Sequence, residues 1–376
     1  MIPPGATLGM LGGGQLGRMF ALAAAQMGYH VWVLDPGEIS PAGEVAQRHI
    51  RAEYDDETAL AQLAEQCAVV TLEFENVPAK AITFLSERCK VFPNAQAVSV
   101  AQNRIREKTF INDLGIPTSP FVSIESAEDF TDAASLQWPC IIKTAQFGYD
   151  GKGQRVVENI EQAQQAHADF ERAACILEQK IDLLTEISVV LARNEHDQIA
   201  FFPPAENEHR NGILHMSSVP AQVSEELQKQ AQAIAEKIAK SLDYIGVLAV
   251  EYFVDAQQNL LVNEIAPRVH NSGHYTMDAC HVSQFDQQVR VICGWPPADT
   301  QNHYVVSMVN ILGEAWQQGG LKSEVLLGDP SVHLHLYGKD EPKPGRKMGH
   351  FNIVGQDPAQ VRQLATDKYS QLMSLD

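Results

Sequence analysis

Positive charge is in short supply. The 376-residue chain carries 28 Lys and Arg against 47 Asp and Glu, a formal charge of −19. That balance argues against a nucleic-acid or anionic-membrane partner, since either wants a basic face. Paired cysteines are lacking too. The six present (67, 89, 140, 175, 280 and 293) show no Cys-x-x-Cys spacing, so reduced thiols and a cytoplasmic location are expected. No apolar run approaches a bilayer span. The opening MIPPGATLGMLGGG has neither a basic n-region nor a long apolar stretch, so no secretory leader is expected. There is also no GxxxxGK[ST] phosphate loop, and no Ser/His/Asp or Cys/His signature of covalent catalysis stands out.

What is present begins with size. A chain of 376 residues with 45% hydrophobic content is enough for two or three domains with ordinary cores. The most informative stretch is VEYFVDAQQNLLVNEIAPRVHNSGHYT, residues 250–276. Residues 247–255 and 260–265 are apolar, β-branched runs on either side of Ala256-Gln257-Gln258-Asn259, a hairpin pattern. If Asp255 pairs with Leu260, Glu251 falls directly opposite Glu264. Such neighbours share one face about 5 Å apart, where like charges repel. Burying both then requires a proton or a cation. With Asn263 beside them as an amide oxygen, they form a hard-oxygen site suited to Mg²⁺, with Mn²⁺ as a substitute. The bland alternative is an exposed hairpin whose glutamates face water. Arg268, His270, Asn271, Ser272, Gly273 and His274 follow at once, a polar loop fit for an anionic substrate.

Taken in order, residues 6–11 read as a strand running into Gly12-Gly13-Gly14-Gln15-Leu16-Gly17. A helix over 15–27 stops at Gly28, and a strand over 31–34 ends in Asp35-Pro36. Gly12, Gly14 and Gly17 satisfy GxGxxG, and Asp35 stands near where an acid would hold a ribose. A dinucleotide site, and hence an NAD-dependent dehydrogenase, is one reading. Glycines that only permit tight packing are a second. Helix N-terminal amides holding some other anion are a third, favoured by the polar clusters downstream. Glu57–Gln66 reads as a helix, and a strand over 69–74 empties into Glu73, Glu75 and Asn76, where open α/β sheets gather ligands. Capping of a helix from Ala79 is the structural alternative.

A helix over 95–114 carries Arg104 and Lys108 and stops at Gly115 before Ile116-Pro117. Ser126 to Asp129 resembles a capping box opening another helix. A strand over 138–143 delivers Lys143 to a glycine-rich loop, residues 146–155, whose amides can fold over phosphates or form an ordinary hairpin tip. Strands follow over 175–181 and 187–192, then an amphipathic helix over 224–242 with Leu227, Ala231, Ile234, Ile238 and Leu242 on one stripe. After the hairpin come a helix over 277–293 and strands over 304–312 and 332–337. Last is Lys339 to His350, with four cations within nine positions.

Together these segments resemble the ATP-grasp superfamily, and within it the N5-carboxyaminoimidazole ribonucleotide synthetase family of purine biosynthesis. The likeness is carried by GGGQLGRM (12–19), EFENVP (73–78), FGYDGKGQ (147–154), EQKI (178–181), NEIAPRVHNSGHYT (263–276), YGK (337–339) and GRKMGH (345–350). It implies an α/β and α+β architecture in three parts. These are a Rossmann-like preATP-grasp domain over 1–102, a small lid domain over 103–181 and a larger C-terminal domain over 182–376. It also implies ATP and Mg²⁺ as cofactors, a homodimer, and no nucleic-acid or membrane partner.

By position, the resemblance gives Arg104 and Lys143 to the ATP phosphates, with the loop residues Gly148, Asp150, Gly151, Lys152, Gly153 and Gln154. It gives Glu178 and the Gln179, Lys180 and Ile181 backbone to adenine, and Glu186 to the ribose, with His209 nearby. Glu251 and Glu264, flanked by Asn263, belong to the metal–phosphate site. Gln15, Glu73, Arg268, His270, Asn271, Ser272, Lys339, Arg346 and Lys347 surround the substrate ribonucleotide. Tyr149, Asp150, Lys347 and Arg268 stand nearest the chemistry. The implied reaction joins 5-aminoimidazole ribonucleotide and bicarbonate at the expense of ATP, through carboxyphosphate. A formate-dependent glycinamide ribonucleotide transformylase is the nearest rival.

Overall fold

A computed structural model of the chain describes residues 1–146, 148, 153–316 and 320–374. The first sheet holds β1 (Thr7–Leu11), β2 (His30–Leu34), β3 (Arg48–Ile50), β4 (Val69–Leu72) and β5 (Lys90–Val91), all parallel in the order β3-β2-β1-β4-β5. Its central strands are short apolar runs because helices cover both faces. These are α1 (Gln15–Gln26), α2 (Glu57–Gln66), α3 (Ala79–Ser86) and α4 (Ala95–Ala101). Asp56 caps α2 by accepting from the Thr58 and Ala59 amides. Gly28, at φ +81°, supplies the left-handed turn that ends α1.

The helix expected over 95–114 is two. Asn103 leaves the helical region at φ −135°, and its side chain accepts from the Ile105 and Arg106 amides. A residue that caps so well restarts the chain, so α5 runs from Arg104 to Asp113 in a new direction. A four-stranded antiparallel sheet follows, in the order β6-β9-β7-β8. It comprises β6 (Phe121–Ile124), β7 (Cys140–Thr144), β8 (Gln154–Val157) and β9 (Cys175–Gln179), with α6 (Ile160–Asp169) against it. The Ser126–Asp129 capping box is present but opens a 3₁₀ helix, Ala127–Ser135.

The largest sheet is antiparallel and takes the rest of the chain. Its strands are β10 (Leu183–Arg193), β11 (Ile199–Phe201), β12 (Ala205–Arg210), β13 (Ile213–Val219), β14 (Gly246–Asp255), β15 (Leu260–Ala266), β16 (Val305–Leu312), β17 (Val332–Leu336) and β18 (Lys347–Gly355). The order is β15-β14-β10-β12-β13-β16-β18-β17, with β11 paired to β10, so β15 is an edge. On one face α7 (Glu225–Ser241), capped by Ser224, buries Leu227, Ala231, Ala235 and Ile238 against Val250, Tyr252 and Val262. On the other, Val247 and Ala249 share a core with Phe285, Val289 and Phe20 of α1. That shared core locks the first sheet to the largest one.

The helix expected over 277–293 is also interrupted. A short α8 (Thr276–Ala279) ends at Cys280, which bridges to Asn302. Ser283 and Asp286 then form a capping box that starts α9 (Gln284–Ile292). Two more helices, α10 (Ser323–Leu327) and α11 (Pro358–Met373), pack on the distal end. All six cysteines are free thiols, four of them buried. No helix among the described residues is long and apolar enough to cross a membrane.

Candidate active site

Glu251 of β14 lies directly opposite Glu264 of β15, as the sequence suggests, but by a different route. The Asp255 carboxylate accepts from the Gln257 and Asn259 amides, and Gln258 adopts φ +64°. This tightened turn pairs Val254, not Asp255, with Leu260. Regular pairing from there would set Asn263 against Glu251 and turn Glu264 toward the α7 core. Instead the register shifts between Glu251 and Tyr252, leaving Asn263 as the extra residue of a β-bulge. Leu260 and Val262 face the α7 core before the bulge, and Ile265 does so after it. Asn263 and Glu264, though consecutive, both open onto one cleft.

The pair is electrostatically loaded. Burial and then the Glu264 charge raise the Glu251 carboxyl to about 7. Arg104 Nη1 reaches Glu264 Oε2 at 3.4 Å, and His270 Nε2 stands 3.6 Å from Glu251 Oε1. One potential ligand atom from each of Glu251, Glu264 and His270 lies within 4.8 Å of the others. Two converging carboxylates, one pushed toward protonation by the other, suit a divalent cation. It would supply the charge the carboxylates lack.

A second wall comes from the four-stranded sheet. Lys143 of β7 donates to Glu178 of β9 at 2.6 Å, and Lys108 of α5 stands 3.5 Å from the other Glu178 oxygen. Burial alone would raise the Glu178 carboxyl, yet Lys108 and Lys143 hold it down at about 2. Across the cleft, His209 Nδ1 lies 3.0 Å from Glu186 Oε2, at an angle too bent for a straight hydrogen bond. Burial disfavours the imidazolium. Glu186, helped by Glu251 and Glu264, outweighs it and lifts His209 to about 9.

The carboxyl ends of β1 and β4 close the third side, at the switch point of the parallel sheet. The glycine turn does hold an anion, and that anion is the chain's own. Glu73 accepts from the Gly14 and Gly17 amides at 2.5 and 2.7 Å. Asp35 accepts from the Gly13 and Gly37 amides and from the Tyr54 hydroxyl. A Cβ on Gly12 would fall 2.3 Å from the Glu73 side chain, so the glycine serves this close approach. The dinucleotide reading is thereby corrected: pyrophosphate and ribose would find their amides and acid already engaged. Glu75, beside Glu73, pairs with Arg268 at 2.7 Å.

These walls enclose a cleft of about 510 Å³. Gln15, Glu73, Arg104, Lys143, Gly148, Gln154, Glu186, His209, Glu251, Asn263, Glu264, Arg268, His270, Asn271 and Lys347 line it. Both polar atoms of the Asn271 side chain are buried without a protein partner. Ser272 lies behind the wall, fully buried, with its hydroxyl 2.8 Å from that of Ser188. Lys339 and Arg346 line a separate hollow of about 200 Å³. Glu178 stands one layer back, and Gln179, Lys180, Ile181 and Gly153 are not on the cleft wall. The expectations for Tyr149, Asp150, Gly151 and Lys152 lie outside the described residues.

Glu107 is the site residue that sequence reasoning missed. It lines the cleft, accepts from the Ile265 amide at 2.7 Å, and is raised to about 8 by burial and then by Glu264. The available signal was the spacing of Arg104, Glu107 and Lys108, which shares one helical face.

Comparison with known proteins gives the same picture. The ribonucleotide synthetase preATP-grasp domain matches residues 5–102, and the ATP-grasp domain residues 109–285. The phosphoribosylaminoimidazole carboxylase C-terminal domain matches residues 306–364. The N5-carboxyaminoimidazole ribonucleotide synthase of Brucella melitensis is 43% identical over 356 residues, spanning 94% of this chain and 97% of its own. The Staphylococcus aureus N5-carboxyaminoimidazole synthetase complexed with ADP superposes with a TM-score of 0.93 at 40% identity, over 99% of this chain and 98% of that one. The Aspergillus clavatus synthase, in complex with ADP and 5-aminoimidazole ribonucleotide, gives 0.89 at 28% identity over 98% of each chain. With its ATP-grasp fold and near-full-length likeness to these enzymes, the chain belongs to the N5-carboxyaminoimidazole ribonucleotide synthase family.

Proposed function

We propose that this cleft carries out the ATP-dependent carboxylation of 5-aminoimidazole ribonucleotide with bicarbonate, yielding the N5-carboxy product, ADP and phosphate. The observation that carries the reading is the facing Glu251–Glu264 pair, opening with Arg104 and Lys143 onto one cleft. Glu251 and Glu264, with the Asn263 amide oxygen beside them, would hold magnesium. When bound, that ion offsets the negative charge of nucleotide phosphates. Arg104 and Lys143 add fixed positive charge in a site shielded from water, where it acts most strongly. Glu178 holds Lys143 in place, and the family resemblance assigns Glu186 to the ribose hydroxyls.

A bicarbonate oxygen attacks the γ-phosphorus and the bond to ADP breaks, giving carboxyphosphate. The exocyclic amine of the ribonucleotide then bonds to the carboxyl carbon, phosphate leaves, and the amine gives up a proton. Arg268, His270, Asn271 and Lys347 orient the ribonucleotide on the side of the cleft away from Glu178. Shielding of the cleft from water protects the mixed anhydride, a task the family resemblance gives to the glycine-rich segment, most of which lies outside the described residues. Reduced cysteines suit a cytoplasmic location. A homodimer, and division of the chain at 102 and 181, rest on the family resemblance.

Phosphate release from ATP tests this directly, with 5-aminoimidazole ribonucleotide present and either bicarbonate or formate supplied. Release that depends on bicarbonate and on the ribonucleotide is expected. Release with formate and a glycinamide ribonucleotide instead would transfer the chain to the transformylase reaction.

A further inference from the structure

A regular edge strand presents its outward backbone groups at every second residue. On β15 they fall at Val262 and Ile265, three apart, because Asn263 is extra. Three of the four groups at these two residues have partners. Val262 donates its N–H to the Pro117 carbonyl at 2.9 Å. The Val262 carbonyl accepts from Lys108 Nζ at 3.3 Å, and the Ile265 N–H donates to Glu107 Oε1 at 2.7 Å. Glu107 and Lys108 are consecutive on α5, and both are almost wholly buried. Lys108 grips the strand just before the bulge and Glu107 grips it just after.

We infer that Glu107 and Lys108 are positioning residues that lock the Asn263 bulge and so aim Glu264 into the cleft. Without them the strand can relax to regular pairing, which returns Glu264 toward the α7 core. Lys108 also stands 3.5 Å from Glu178, so the same dipeptide ties the acidic hairpin to the Lys143–Glu178 wall. The inference rests on the proposed metal role of Glu251 and Glu264 and extends it to the residues that set their geometry.

The test is Mn²⁺ binding followed by electron paramagnetic resonance, with amide hydrogen exchange at Ile265. Glu107→Ala is expected to lose about tenfold or more in Mn²⁺ affinity, the usual scale for groups that orient metal ligands. Its ADP affinity in chelator should stay near that of the wild type. Glu107→Gln keeps an oxygen for the Ile265 N–H and should recover most of the lost affinity. A merely structural role would instead lower both affinities with the folded fraction, and Gln would not separate from Ala. Folded Glu107→Ala with wild-type Mn²⁺ affinity overturns the inference. Should Glu107→Ala not fold, exchange in the wild type decides. Protection at Ile265 matching that of the β14 core supports the clamp, and fast exchange there overturns it. Neither readout needs turnover, so failure of the proposed reaction would appear separately, in phosphate release.

Discussion

Glu251 and Glu264 stand face to face at the mouth of one cleft because a single added residue, Asn263, re-aims the edge strand beside them. The arrangement is costly in the absence of a cation, since the buried Glu251 carboxylate faces a second carboxylate. That cost makes the pair testable by several independent means.

The first is pH. The Glu251 carboxyl is raised to about 7 in the fold, first by burial and then by Glu264. Its unfolded value is near that of an ordinary glutamate. The folded state therefore binds more protons between those limits, and stability falls as pH rises from about 4.5 to 7. Glu251→Gln should remove on the order of 3 kcal/mol of that loss. Metal-free melting of wild type and variant from pH 4.5 to 8 checks this. Added Mg²⁺ should raise the wild-type melting temperature most at the upper end. Parallel curves for the two proteins would contradict it.

Lys143 is held by Glu178 at 2.6 Å in a buried pair. Lys143→Met leaves Glu178 with Lys108 alone, and removing one partner of a buried pair costs about 3 kcal/mol. Chemical denaturation should show a loss of that order, and calorimetric titration should show weakened ATP binding. ATP affinity unchanged in a folded variant would place Lys143 outside the nucleotide site.

Glu73 fills the glycine turn with its own carboxylate. Glu73→Ala strands two amides and should cost about 2 kcal/mol of stability, while raising the KM for the ribonucleotide. The wild type should not quench or shift NADH fluorescence. Binding of NADH by the wild type would reopen the dinucleotide reading.

Arg346 and Lys339 line the hollow next to the cleft. Arg346→Ala should raise the ribonucleotide KM about tenfold or more, in line with a lost charge-assisted contact to phosphate. The KM for ATP should hardly move. Initial-rate kinetics with each substrate varied would separate the two, and the opposite pattern would assign the hollow to ATP.

Local pattern made much of this legible. The hairpin of β14 and β15, the span of α2 and the Ser224 start of α7 follow from patterns within a few residues. What escaped was set by groups whose strength depends on context. Asn103 broke one expected helix, and the Ser283–Asp286 box restarted another. The bulge at Asn263 depends on Asp255 closing its turn and on Glu107 and Lys108 arriving from elsewhere in the chain. The anion in the glycine turn comes from the end of β4, 59 residues on from Gly14, so no spacing within the turn reveals it.

The decisive measurement is phosphate release from ATP by wild type and Glu264→Gln, with bicarbonate, Mg²⁺ and 5-aminoimidazole ribonucleotide all present. The wild type should turn over only with the full mixture. The variant, one charge short at the transferring phosphate, should fall by at least about a hundredfold, as loss of a key electrostatic group does. A Glu264→Gln protein that releases phosphate at the wild-type rate would contradict the metal assignment and the mechanism built on it.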